Sequence, residues 1–151
     1  METVFIALGS NLKEPQRQLR AGFAALARLP DTQRIAQSSL YRSAPVGYVN
    51  QPDFVNAVAA IRTALSPSAL LDALLAVERG HGRVREFANA PRTLDLDLLL
   101  YGDARIDEPG LEIPHPRLHE RAFVLGPLAE LDPALEIPGK GSIQTLLRGL
   151  H

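Results

Sequence analysis

Thr3 to Leu8 is a β-branched and aromatic run closed by Gly9-Ser10-Asn11, the pattern of a first strand. Pro15 then opens a stretch in which Leu19, Phe23, Leu26 and Leu29 recur near the helical period, ended by Pro30 and Asp31. "RIAQSSLYRS" (34–43) predicts a second strand. It is followed by "APVGYVNQPD", whose prolines and glycine break regular structure. "FVNAVAAIRTA" (54–64) predicts a third strand, with Val55, Ala57, Ala59 and Ile61 on one face and Phe54, Asn56 and Val58 on the other.

The clearest helix is "SPSALLDALLAVERG" (66–80). Ser66 suits the N-cap and Pro67 the first turn, while Leu70, Leu71, Leu74, Leu75 and Val77 supply an apolar face before Gly80 and Gly82. A basic loop over 83–92 leads to a fourth strand, Thr93 to Leu100. Beyond it, "ARIDEPGLEIPHP" predicts a small strand pair, and "ERAFVLGPLAELDP" and "SIQTLLRGL" a helix each. The leading order β-α-β-β-α-β predicts an α+β fold, a ferredoxin-like sandwich with helices packed on a mainly antiparallel sheet. At 151 residues the chain is expected to form a single domain, 1–151.

The fourth strand carries the chemistry. In "APRTLDLDLLLYGD" (90–103), alternation turns Asp95 and Asp97 to one face and Leu94, Leu96 and Leu98 to the other. Two like charges so close need a cation. Arg83, Arg85 and Arg92 just upstream are one source, and a divalent metal such as Mg²⁺ is the other. An isolated pair of this kind is more often a solvated face paired to arginines. Arginines delivered directly before the carboxylates instead suit a nucleoside triphosphate, whose phosphates need both metal and guanidinium. A second constellation, Phe54 and Asn56 on one strand face beside a Pro/Gly loop, suits a flat heterocycle, although Phe54 could equally serve the core.

Composition narrows the field. The formal net charge of −1 supplies no global attraction for nucleic acid or an anionic membrane, and the absence of cysteine removes thiolate catalysis and cysteine zinc sites. The N-terminus lacks the pattern of a signal peptide and no segment is apolar enough to span a bilayer, so a cytoplasmic location is expected. Several motifs are decoys. "PGKGS" lacks the first glycine of a Walker A loop, His115 and His119 lack the glutamate of a zinc helix, and "ALGSN" is more often a turn than a phosphate cradle. A nuclease or nucleotidyltransferase would explain the aspartates and arginines but not Phe54 and Asn56. An RNA-binding module would show more than 5% aromatic residues and a basic face. A purely structural domain gives no reason for the paired aspartates.

Taken together, "ALGSNL", "SLYRSAPVG", "QPDFVNAV", "GRVR", "APRTLDLDLLLYG" and "IPHPRLHERAFVLGPLAEL" resemble the 6-hydroxymethyl-7,8-dihydropterin pyrophosphokinase family, in that family's order and over nearly the whole chain. The resemblance implies transfer of a pyrophosphoryl group from ATP to the hydroxymethyl group of the reduced pterin, with release of AMP. It implies two Mg²⁺ ions on Asp95 and Asp97, and Arg83 and Arg92 acting with these aspartates in catalysis. ATP would be held by Glu78, Arg83, Arg85, Arg92, the Leu98 backbone, His115 and Arg121. The pterin would lie between Phe54 and Phe123, bonded by Asn56, by backbone near Ser43 and Val46, and close to Asp95. Loops 44–52 and 82–92 are expected lids, and a monomer binding neither nucleic acid nor membrane is expected. Asp97 or a metal-acidified hydroxyl are the two candidates for handling the proton. The chain departs from the family pattern at Ala44 (a proline in relatives), at Phe54 (a tyrosine) and in "REFANAP", which lacks an Arg-Trp pair.

Overall fold

Strand β1, Glu2–Ser10, runs through the middle of a sheet that it shares with β4, Phe54–Thr63, on one side and β5, Asp95–Tyr101, on the other. This is a computed structural model, and it describes residues 1–12, 14–44, 50–80 and 94–150. Strands β2, Thr32–Gln37, and β3, Tyr41–Ser43, pair one after the other with opposite ends of β4, giving the order β2-β4-β1-β5 with every pairing antiparallel. Helices α1, Pro15–Ala27, and α2, Pro67–Gly80, fill the two crossovers, so the architecture is the expected ferredoxin-like α+β sandwich.

Both sheet faces carry apolar packing, because β4 is apolar on both parities and β5 becomes so beyond Asp97. Val55, Ala57, Ala59 and Ile61 join Val4, Ile6 and Leu8 and the leucines 94, 96 and 98 under α1 and α2. Gly22 of α1 permits the close approach there, since a Cβ at that position would stand 2.8 Å from Leu8 Cδ2. On the other face Phe5, Val58, Ala60, Leu99 and Leu100 pack beneath α3, Ala122–Leu131, and α4, Ile143–Arg148. Each fully buried leucine or isoleucine contributes about 1.5–3 kcal/mol, so the sheet is anchored from both sides.

Local signals hold well. Ser66 caps α2, its Oγ accepting the Ala69 N–H (3.1 Å) and its carbonyl the Leu70 N–H (2.8 Å). The expected small strand pair is present as β6, Ile106–Glu108, and β7, Leu111–Ile113. Other details differ. The predicted second strand is split at Ser38, whose N–H donates to the Val58 carbonyl (2.8 Å) while its Oγ accepts the Val58 N–H (2.9 Å). A side chain has replaced a backbone group there, and the ladder restarts at Tyr41. Leu75, placed on the apolar face of α2 by periodicity, is 38% exposed. A further hairpin, β8, Glu136–Ile137, with β9, Gly141–Ser142, turns through the "PGKGS" segment. Register on β5 slips by one residue opposite Phe5 and Ile6, so Leu99 is an extra residue. Leu99 and Leu100 therefore both enter the α3 side.

Candidate functional site

The cleft lies on the α3 side of the sheet and encloses about 200 Å³. Its floor follows directly from register. Gly9 of β1 stands between Asn56 of β4 and Asp95 of β5, and Ala7 stands between Val58 and Asp97. One strand contributes an amide, the next only small residues, and the third two carboxylates. The missing side chain at Gly9 matters: a Cβ would lie 3.2 Å from Asn56 Oδ1 and 3.8 Å from Phe54 Cδ1. The floor is thus low between the amide end and the acidic end, and a ligand can cross it.

At the amide end, Asn56 is 7% exposed and its Nδ2 donates to Ser43 Oγ (2.7 Å). That bond fixes which way the amide points and turns Oδ1 toward the Gly9 floor. Phe54 of β4 and Phe123, in the first turn of α3, also line the cleft, with Ser43 and Ala44 at the mouth. Asn11, just past β1, anchors the segment that leads into Phe54, since its Nδ2 donates to Gln51 Oε1 (2.7 Å) and the Pro52 carbonyl (3.1 Å). Gly9 and Ser10 of the "ALGSN" motif stay in the strand, so the motif forms cleft floor and anchor.

At the acidic end, Asp95 and Asp97 are half-buried on one face of β5, as alternation requires. Among the described residues no group of three or more His, Cys, Asp or Glu side chains converges to hold a metal. Two carboxylates alone still fit Mg²⁺, which takes one or two protein carboxylates and fills its shell with water and phosphate oxygens. Opposite them, His115 follows the Ile113–Pro114 peptide and donates its backbone N–H to the Leu99 carbonyl (2.9 Å). Burial, and then the nearby Arg121 guanidinium, pull the His115 imidazole below its ordinary value, with Asp95 opposing. Its Nδ1 accepts the Arg117 N–H (3.2 Å), which leaves Nε2 to carry the proton of a neutral ring. Arg121 sits 5.7 Å from the centroid of the Phe123 ring, and Arg117 joins it on the cleft wall.

Of the expected site residues, the cleft brings together Ser43, Phe54, Asn56, Asp95, Asp97, His115, Arg121 and Phe123. Glu78 and Leu98 are elsewhere. Glu78, 2% exposed near the end of α2, accepts the Leu96 N–H on Oε2 (2.7 Å), and the Leu98 side chain is buried under the helices. Leu96 N–H turns away from β1, and by alternation the Leu98 backbone faces the same outer side of β5. Val46, Arg83, Arg85 and Arg92 lie outside the described residues, as does most of both expected lid loops. Sequence reasoning missed Ala7, Gly9 and Arg117. Their signal was present, in two small residues at alternate positions of an apolar strand and an arginine between two histidines.

Fold and cleft define a class: a ferredoxin-like sandwich whose sheet carries an amide and aromatic end and a carboxylate end in one cleft. Comparison with known proteins names the family. The description 7,8-dihydro-6-hydroxymethylpterin-pyrophosphokinase (HPPK) matches residues 5–133. A 2-amino-4-hydroxy-6-hydroxymethyldihydropteridine pyrophosphokinase of Pseudomonas aeruginosa is 50% identical over 147 residues, covering 97% of this chain and 91% of that one. One from Haemophilus influenzae is 47% identical over 148 residues, covering 98% and 92%. Among solved structures, wild-type Plasmodium falciparum HPPK-DHPS with pteroate superposes with a TM-score of 0.77 at 13% identity, covering 98% of this chain and 42% of that longer one. An HPPK-DHPS in complex with substrates gives 0.77 at 14%, covering 98% and 43%. These last two speak for the fold alone. The chain belongs to the HPPK family. Its reaction is therefore pyrophosphate transfer from ATP to 6-hydroxymethyl-7,8-dihydropterin, in folate biosynthesis.

Proposed function

We propose that the pterin ring lies between Phe54 and Phe123 with its edge on Asn56 Oδ1, and that its hydroxymethyl group reaches across Gly9 toward Asp95. The observation that carries this reading is the row Asn56–Gly9–Asp95, three neighbours in one ladder with nothing tall in the middle. Neighbouring strands are about 4.8 Å apart, so amide and carboxylate are separated by about 10 Å across the floor, room for a bicyclic ring and one exocyclic carbon.

The triphosphate then lies over β5. Asp95 and Asp97 are the ligands for Mg²⁺, two ions in this reading, and Arg121, His115 and the loop arginines 83, 85 and 92 take the remaining phosphate charge. Magnesium bound there would supply neutralisation of phosphate oxygens and a lowered pKa for the attacking hydroxyl. The chain's own residues do the positioning. Asn56 and the two phenylalanines hold the acceptor, a neutral His115 offers an Nε2 proton to a phosphate oxygen, and Arg121 adds a fixed positive charge where negative charge develops. Attack falls on the β-phosphorus, and AMP leaves. The outward Leu98 backbone reads the adenine, with Glu78 behind it. Val46 joins Ser43 at the rim of the pterin pocket. Residues 1–151 act as one unit, a cytoplasmic monomer without nucleic-acid or membrane partners. Among the described residues no helix is long and apolar enough to cross a membrane.

The test is product analysis. Incubation with ATP, Mg²⁺ and 6-hydroxymethyl-7,8-dihydropterin should release AMP and one equivalent of pterin diphosphate. ADP as the product would overturn the reaction type, and full activity with EDTA would remove the metal.

A further inference from the structure

Phe123 stands in the first turn of α3, and the same helix stripe continues through Gly126 to Glu130, at spacings of three and seven residues. Those two later positions both meet β3. The Tyr41 ring lies over Gly126, where a Cβ would be 3.6 Å from Tyr41 Cε2. Its hydroxyl donates to Glu130 Oε1 (2.6 Å). The same carboxylate accepts the Ser39 N–H on both oxygens (2.9 and 3.1 Å) and the Ser39 hydroxyl on Oε2 (2.9 Å).

Tyr41 is therefore held from ring to hydroxyl against one helix, and it pairs directly with Asn56. Two residues on, on the same face of β3, Ser43 pairs with Phe54 and accepts from Asn56. Phe123 thus belongs to the α3 stripe, and Ser43, Phe54 and Asn56 belong to the strands fastened to it by Tyr41 and Glu130. Strand β3 is only three residues long and follows the break at Ser38, so its own ladder is short. Asp95 and Asp97 stand on β5, away from the strands that Glu130 fastens, and Glu130 lies about 10 Å along the helix from Phe123 at 1.5 Å per residue.

We propose that Tyr41 and Glu130 act as a spacer that fixes the width of the slot between Phe123 and the Phe54–Asn56 side, making Glu130 a positioning residue for the pterin. The inference rests on the pterin placement given above. It goes beyond that placement by assigning a role to residues that line no part of the cleft. Loss of the carboxylate lets β3 and α3 separate at one end, and the slot widens at the other. An aromatic sandwich depends steeply on that gap, whereas the carboxylates on β5 keep their place in the sheet.

Steady-state kinetics on Glu130→Ala, Glu130→Gln and Tyr41→Phe test it, with KM for pterin, KM for ATP, kcat and denaturation midpoint measured for each. Glu130→Ala should raise the pterin KM about five-fold to ten-fold, the scale of losing a charged hydrogen-bond cluster partly exposed to water, while the ATP KM stays within about two-fold. Glu130→Gln, which still accepts through one oxygen, should recover most of the loss. Tyr41→Phe keeps the ring over Gly126 and should fall between. An unchanged pterin KM in both Glu130→Ala and Tyr41→Phe would overturn the spacer. So would equal rises in both KM values, which would mark a purely structural role. If the wild-type protein itself releases no pterin-dependent AMP, the reaction reading fails, and pterin binding measured directly with a non-hydrolysable ATP analogue still decides the spacer.

Discussion

Gly9→Ala separates binding from stability, because the two are expected to move in opposite directions. Gly9 is in β1 and not among the glycines at positive φ, so an alanine there carries no backbone strain. Replacing a glycine at such a site stabilises a fold by about 0.4–1 kcal/mol through the unfolded chain. The new methyl, however, would stand 3.2 Å from Asn56 Oδ1 and 3.8 Å from Phe54 Cδ1. Asn56 must give by a few tenths of an ångström, and Ser43 holds its other end at 2.7 Å. A displaced amide forfeits a hydrogen bond to the pterin worth about 0.5–1.5 kcal/mol, and filling the floor under a flat ring costs about 1 kcal/mol more. The sum, about 2 kcal/mol, is about thirty-fold in affinity. Calorimetry with pterin, Mg²⁺ and a non-hydrolysable ATP analogue should show that loss, with nucleotide affinity little changed and the urea midpoint equal or higher. Unchanged pterin affinity would refute the placement of the ring over Gly9. A parallel loss of stability would show that the methyl acts on the fold and not on the floor.

Other expectations are simpler to state. Asp97→Asn should cut kcat by at least ~100-fold, since a metal clamp supplies several kcal/mol, and Mn²⁺ titrated by relaxation enhancement in the presence of nucleotide should bind more weakly. The His115 imidazole should titrate below 6.5 by NMR in the free chain, burial and Arg121 being the causes, and should move upward when the triphosphate binds. Because its folded value is lowered, the unfolded chain binds more protons, and stability from this group should fall as pH drops below 6.5. For the Tyr41–Glu130 pair the windows lie outside neutrality. The bond to Glu130 raises Tyr41 to about 12 from 10.0, so its contribution is complete below pH 10 and lost as pH rises through 12. Glu130 is lowered from 4.5, chiefly by the Tyr41 hydrogen bond, so its contribution is present above 4.5 and lost as pH falls through its lower folded value. Burial and Glu2 also raise Tyr101, so ultraviolet titration should show both Tyr41 and Tyr101 ionising late in wild type, and Tyr41 alone moving earlier in Glu130→Gln.

Much of this was legible along the chain, because its causes are local. Ser66 as cap, Pro15 and Pro67 as helix openers and the shared face of Asp95 and Asp97 depend only on neighbours in sequence. What escaped depends on residues far apart. The break at Ser38 exists because its hydroxyl meets an amide 20 residues away. Periodicity assigned Leu75 to the core because it reports a face, not what covers that face. The roles of Ala7 and Gly9 arise only once β4 and β5 flank them. The Tyr41–Glu130 bond joins residues 89 apart, beyond any motif.

Among the described residues strand β5 ends the sheet, and a terminal strand is where another polypeptide could add itself and begin a fibre. Here that route is obstructed at three points. The Glu78 carboxylate takes the outward Leu96 N–H, the His115 N–H takes the Leu99 carbonyl, and the extra residue at Leu99 bends the strand out of line. The border that carries Asp95 and Asp97 is thereby a poor template for its own kind. A substitution such as Glu78→Ala should show itself first as turbidity on concentration and storage.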